Sequence, residues 1–118
     1  MRTKAMRRIL FSVILCLLVA AAHAHSDVGM TKPENGAVLE EMPRYIVLTF
    51  AKRIRLTRVW MTHLDNPRVD LDLGGQTEFL KKFEVPVPDK GAGLYRIEWR
   101  GLSIDGHAMS GDLSFQVK

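Results

Sequence analysis

Between Gly93 and Leu102 the chain reads GLYRIEWRGL, in which Leu94, Arg96, Glu98 and Arg100 alternate with Tyr95, Ile97, Trp99 and Gly101. A two-residue period belongs to a β-strand with one buried face, because successive side chains leave the pleat on opposite sides. The closing stretch DLSFQVK repeats it, with Leu113, Phe115 and Val117 on one face. RYIVLTF (residues 44–50) and RVWMTHL (58–64) add two strands rich in β-branched and aromatic residues. FLKKFEVPV (79–87) is a weaker strand that Pro86 pushes toward an edge or a strand exit. Turn-forming runs separate them: KPENG (32–36), DNPR (65–68), LGG (73–75) and PDKGAG (88–93). AVLEEM (37–42) is the one helical candidate, too short to stand alone, and is read as a connection. Short strands with a turn every ten or so residues predict an all-β sandwich or barrel.

The start of the chain does not belong to that domain. Arg2, Lys4, Arg7 and Arg8 precede an apolar run from Ile9 to Ala22, and Ala22-His23-Ala24 fits a signal-peptidase site with cleavage before His25. This divides the 118 residues into a signal peptide, 1–24, and a single domain, 25–118. The run lacks the motif around Arg7 and Arg8 that twin-arginine export needs, and Cys16 lacks the small residues of a lipid-attachment site. AAA at 20–22 also satisfies peptidase rules and leaves a second reading, with His23 first. Either way the protein is exported, to the periplasm or its equivalent, and its mature form does not span the membrane.

Removing the leader resets the composition. Of 17 Lys and Arg, the four in the leader leave with it, so 13 face the 13 Asp and Glu and the mature chain is formally neutral. The basic balance therefore belongs to the leader, and nucleic acid loses its electrostatic case as a partner. The single Cys16 leaves as well, which excludes disulfides, thiolate nucleophiles and thiolate metal sites.

What remains for chemistry is SIDGHAMSG, residues 103–111. If residues 105–107 are extended, Asp105 and His107 project from one face with Cα atoms about 6.5–7 Å apart and can share one ion. Cleavage before His25 supplies further donors, since one residue then offers an α-amine and an imidazole. An α-amine has a pKa of about 7.7–8.0 against about 10.4 for lysine, so freeing it at pH 7 costs roughly 1.2 kcal/mol rather than roughly 4.6. Three nitrogens and a carboxylate oxygen suit Cu(II) or Ni(II) in a tetragonal plane, or zinc in a tetrahedral one. The same residues also fit a plain Asp-Gly hairpin turn with an exposed histidine.

The chain from His25 onward resembles the CopC family of exported copper-binding proteins, through His25 directly after the leader followed by TKPENGAVLEEMP, through IVLTF, and most specifically through GLYRIEWRGLSIDGHAMSGDLSFQVK. The resemblance implies an immunoglobulin-like Greek-key β-sandwich or barrel that binds one Cu(II) per chain through His25, Asp105 and His107. It also implies a monomeric, non-enzymatic role in copper homeostasis or resistance, as carrier or buffer, with a CopD-type inner-membrane copper transport protein as partner. Two other functions fit the same sequence: a copper-dependent oxidative enzyme with an N-terminal histidine site, and a metal-free β-sandwich interaction module.

The remaining residues are assigned structural roles. Met30, Met42, Met61 and Met109 are scattered and fill the core, against a second, thioether site for Cu(I). After Phe50 the chain reads AKRIR (51–55), and Lys52, Arg53, Arg55 and Arg58 read as a solvated face able to alter partner recognition, and His63 as structural or exposed. Trp60 and Trp99 are read as core rather than electron relays, and Asp27 as an outer hydrogen-bond partner or alternative ligand.

Overall fold

The computed structural model describes residues 28–118, so the signal peptide, His25 and Asp27 lie outside the described residues. Seven strands follow in order: β1 (Val28–Lys32), β2 (Ala37–Leu39), β3 (Tyr45–His63), β4 (Val69–Asp70), β5 (Leu80–Pro86), β6 (Gly93–Ser103) and β7 (Ala108–Val117). Among the described residues all regular structure is strand, as the alternation required.

The two strands expected at 44–50 and 58–64 are one, the 19-residue β3. Its first half is flanked by β1 and β5, both antiparallel, and its second half by β4 and β6. β6 continues through β7 to β2, giving the order β1-β3-β6-β7-β2. β3 thus passes from one layer to the other, and a single hydrogen-bonded sheet folds over itself into a sandwich. AVLEEM, read as a connection, contributes its first three residues as β2, paired parallel to β7 from Ala37↔Phe115 to Leu39↔Val117. Hydrogen bonds to the neighbour, not helical propensity, decide so short a segment.

Between the layers, Ile46, Leu48 and Phe50 of β3 and Phe83 and Val85 of β5 meet Tyr95, Ile97 and Trp99 of β6 and Leu113, Phe115 and Val117 of β7. Phe50 joins the layers edge-on to Trp99, with ring centroids 5.0 Å apart. Gly111 lies opposite Trp99 in the β6–β7 ladder, and a Cβ there would stand 2.7 Å from the indole, so only glycine leaves room for the ring. Tyr95 anchors the other end of β6: its hydroxyl donates to the Gly91 carbonyl at 2.6 Å and accepts from the Lys90 N–H at 2.9 Å. Burial raises its phenol above the ordinary value, partly offset by the Lys90 bond.

A register shift between Leu56 and Arg58 in the β3–β6 ladder changes which side chains face inward. Before it, Ile54 and Leu56 are buried; after it, Val59 and Met61 are. One extra residue in a strand reverses the facing of everything that follows. Trp60 is buried, as expected, but is consequently turned to the outer face, outside the main apolar cluster.

Candidate metal centre

β6 and β7 form a hairpin whose last strand pair is Leu102↔Ala108, and residues 104–107 close it. Asp105 and His107 therefore sit in a tight turn, the Asp-Gly hairpin that the sequence also allowed, and not in an extended segment. The Gly106 N–H donates to the Ser103 carbonyl at 3.0 Å and the Ser103 N–H to the His107 carbonyl at 2.9 Å. Gly106 has φ +85°, a left-handed conformation that glycine adopts without steric cost. The turn folds the two side chains onto each other: His107 Nδ1 lies 3.0 Å from Asp105 Oδ2.

Ser103 holds this pair from the base of the turn. Its hydroxyl donates to Asp105 Oδ1 and accepts the His107 N–H at 3.0 Å. The serine hydrogen bond and, to a lesser degree, the nearby His107 keep the Asp105 carboxyl below the ordinary carboxylate range, so it is an anion at neutral pH. With Nδ1 turned to the carboxylate, Nε2 of His107 has no hydrogen-bond partner among the described residues, the arrangement in which a carboxylate can orient an imidazole for a metal. Both side chains are open to solvent, His107 at 82% and Asp105 at 66%.

Across from the turn lies the middle of β3. Ala51, Lys52, Arg53 and Ile54 line one side of a cavity of about 520 Å3, and Ser103, Asp105, His107 and Met109 line the other. Lys52 and Arg53, read from sequence as a solvated face, are exposed but border the candidate site. Met109 is half-buried and packs on the core, as expected, while reaching the cavity wall. Met61 is buried and Met30 is exposed. Ser103 was not recognised as a site residue, since its role depends on how the turn closes.

His63 is removed from all of this. It is 9% exposed, its Nε2 lies 2.8 Å from the Ala92 carbonyl, and its ring packs on Tyr95 with centroids 4.5 Å apart. The structural reading of His63 holds.

Among the described residues no group of three or more His, Cys, Asp or Glu side chains stands close enough to hold a metal ion. Asp105 and His107 are two donors of a compatible kind, and any further ligand must come from elsewhere.

A β-sandwich displaying a carboxylate–imidazole pair on its closing hairpin is the class of molecule these residues build. The CopC domain model matches residues 28–118, and the chain belongs to the CopC family. It is similar to copper resistance protein C of Xanthomonas campestris pv. juglandis, 29% identical over 126 residues that cover 97% of this chain and 98% of the relative. In structure it is similar to CopC from Methylosinus trichosporium OB3b, with a TM-score of 0.68 at 21% identity over 80% of this chain and 94% of that one. It is also similar to PcoC, a methionine-rich copper resistance protein from Escherichia coli, with a TM-score of 0.56 at 25% identity over 80% and 100% of the two chains. The family is one of copper resistance proteins, not of enzymes.

Proposed function

We propose that the protein is exported, loses residues 1–24, and as residues 25–118 binds one Cu(II) through His25, Asp105 and His107 as a periplasmic carrier or buffer. The observation that carries this reading is the pairing of Asp105 with His107 on a turn across a cavity from Ala51, Lys52, Arg53 and Ile54 of β3. Val28 pairs with Phe50, and the next residues of β3, from Ala51 to Ile54, line the cavity that Asp105 and His107 also line. His25 stands three residues before Val28, and an extended chain covers about 10 Å in that distance. In our reading the chain continues extended from Val28 along β3, and a first residue at His25 would add its α-amine and imidazole to the two donors among the described residues.

In this arrangement His107 offers Nε2, and the Asp105 carboxylate either swings to the ion or stays on Nδ1 and orients the ring. Three nitrogens with a carboxylate select Cu(II) by donor type and by the affinity order of divalent metals. A resident of the periplasm with this site holds copper as cargo, and a CopD-type inner-membrane copper transport protein is its partner in our reading. The formally neutral mature chain acts as a monomer.

Titration of the secreted protein with Cu(II) tests this, followed by visible absorbance and thermal melting. One equivalent should produce a d–d band and raise the melting temperature, and cycling with ascorbate should be slow. Absence of both band and thermal shift would leave a metal-free interaction module; rapid ascorbate turnover would point to oxidative chemistry instead.

A further inference from the structure

The outer face of β3 and β6 carries a feature that copper binding does not use. Trp60 is only 4% exposed although it lies outside the apolar core, because guanidinium groups cover it. Arg58 and Arg68 each stand 4.6 Å from the centroid of its ring and Arg100 stands 5.2 Å away. Arg58 and Arg100 are directly opposite each other in the β3–β6 ladder, a like-charge pairing that disfavours the sheet.

Only part of this charge is answered within the fold. Asp70 on β4 takes Arg58, with Nε–Oδ1 at 3.0 Å. Glu98, opposite Trp60, is engaged by Arg96 at 3.6 Å, which also reaches Asp112 at 3.1 Å. Among the described residues Arg68 and Arg100 have no carboxylate partner, and both are exposed. The indole beneath them keeps a buried Nε1–H without an acceptor. A buried donor left unpaired calls for an explanation. A guanidinium over an indole is attracted to the ring face, and its forked N–H groups can grip a carboxylate in two bonds.

We propose that Arg68, Arg100 and Trp60 form a docking site for an acidic segment of a partner protein, whose carboxylates bind across the two arginines over the indole. The charge layout favours a peptide over an anionic membrane. Asp70 on β4, Glu98 on β6 and Asp112 on β7 lie around the arginines, so a broad negative surface meets repulsion where one or two carboxylates need not. Arg100 is three residues from Ser103 on β6, so a partner held there stands about 10 Å along the strand from the base of the metal-site turn.

The test uses the secreted protein without metal and a dye-labelled peptide of alternating Asp and Glu, with an Asn and Gln peptide of equal length as control. Anisotropy should report binding of the acidic peptide only, weakening with salt, and tryptophan emission should shift on binding. Arg68→Gln and Arg100→Gln should each weaken binding about tenfold, Arg100→Lys less, and Lys81→Gln on β5 should leave it unchanged. The proposal is overturned if the acidic peptide does not bind or if Lys81→Gln weakens it as much as the arginine changes. It is equally overturned if phosphatidylglycerol vesicles bind in place of the peptide and depend on the same two arginines. Thermal melts confirm that each variant is folded, and Cu(II) titration of the same variants should match the parent, which keeps this result separate from that of the copper reading.

Discussion

His63 and His107 stand near opposite ends of the same β6–β7 hairpin and illustrate two uses of one side chain. His63 is enclosed, with Nε2 against the Ala92 carbonyl and its ring on Tyr95. His107 is exposed, with Nδ1 turned to Asp105 and the other nitrogen facing solvent. The difference lies in the partners each ring finds: a backbone carbonyl and an aromatic ring for His63, a solvent-exposed carboxylate for His107. A histidine whose nitrogen is committed within the fold is part of the scaffold; one whose carboxylate partner leaves a lone pair outward is equipped to take a metal.

The largest expected effect separates the two residues. His107→Ala should weaken Cu(II) binding more than about a hundredfold, measured by competition with a chromophoric chelator, while leaving the melting temperature nearly unchanged. His63→Ala should do the reverse, costing about 1–3 kcal/mol in denaturant unfolding through the lost hydrogen bond and ring contact, with copper affinity retained. If His63→Ala abolished copper binding, the comparison would fail.

A second pair of changes sharpens it. Gly111→Val forces a side chain into the Trp99 ring and should destabilise the fold by about 1–3 kcal/mol in equilibrium unfolding, acting on the scaffold without touching a donor. Ser103→Ala removes the hydroxyl that steadies Asp105 and should weaken Cu(II) binding about tenfold with little change in stability.

Ser103→Ala should also raise the Asp105 carboxyl toward its ordinary value, seen as an upward move of its midpoint in an NMR pH titration. The sign follows from the lowered folded-state value: the native contribution of this carboxylate is present above its unfolded pKa and is lost as pH falls through the folded one. Copper release in acid should therefore begin with protonation of the nitrogen ligands, while Asp105 is still an anion. The smallest effect belongs to the surface pair Arg58–Asp70, where Asp70→Asn should cost no more than about 1 kcal/mol and leave copper untouched.

The inward residues of β6 and β7 were legible because their alternation is uninterrupted from Tyr95 to Trp99 and from Leu113 to Val117. β3 was not, since the polar run AKRIR looks like a break between strands although the backbone carries on through it. Trp60 is buried, as read, but its place outside the main apolar cluster was not legible for a related reason: the register shift after Leu56 reverses the facing of the strand, and no glycine or proline marks it in the sequence. The identities of Asp105 and His107 could be read directly, yet their contact could not, because it depends on a turn in which Gly106 takes a left-handed conformation. Ser103 escaped notice on the same grounds. Trp60 also shows what alternation conceals, for the arginines that cover it come from β3, β6 and the segment before β4.

Copper affinity measured against a competing chelator, for protein beginning at His25 and for protein carrying one additional residue ahead of it, addresses the central claim most directly. The account predicts that the extension weakens Cu(II) binding more than about a hundredfold without altering the fold, since the α-amine of His25 is then an amide. Equal affinity in the two forms would contradict it and leave Asp105 and His107 without the partner that the described residues do not provide.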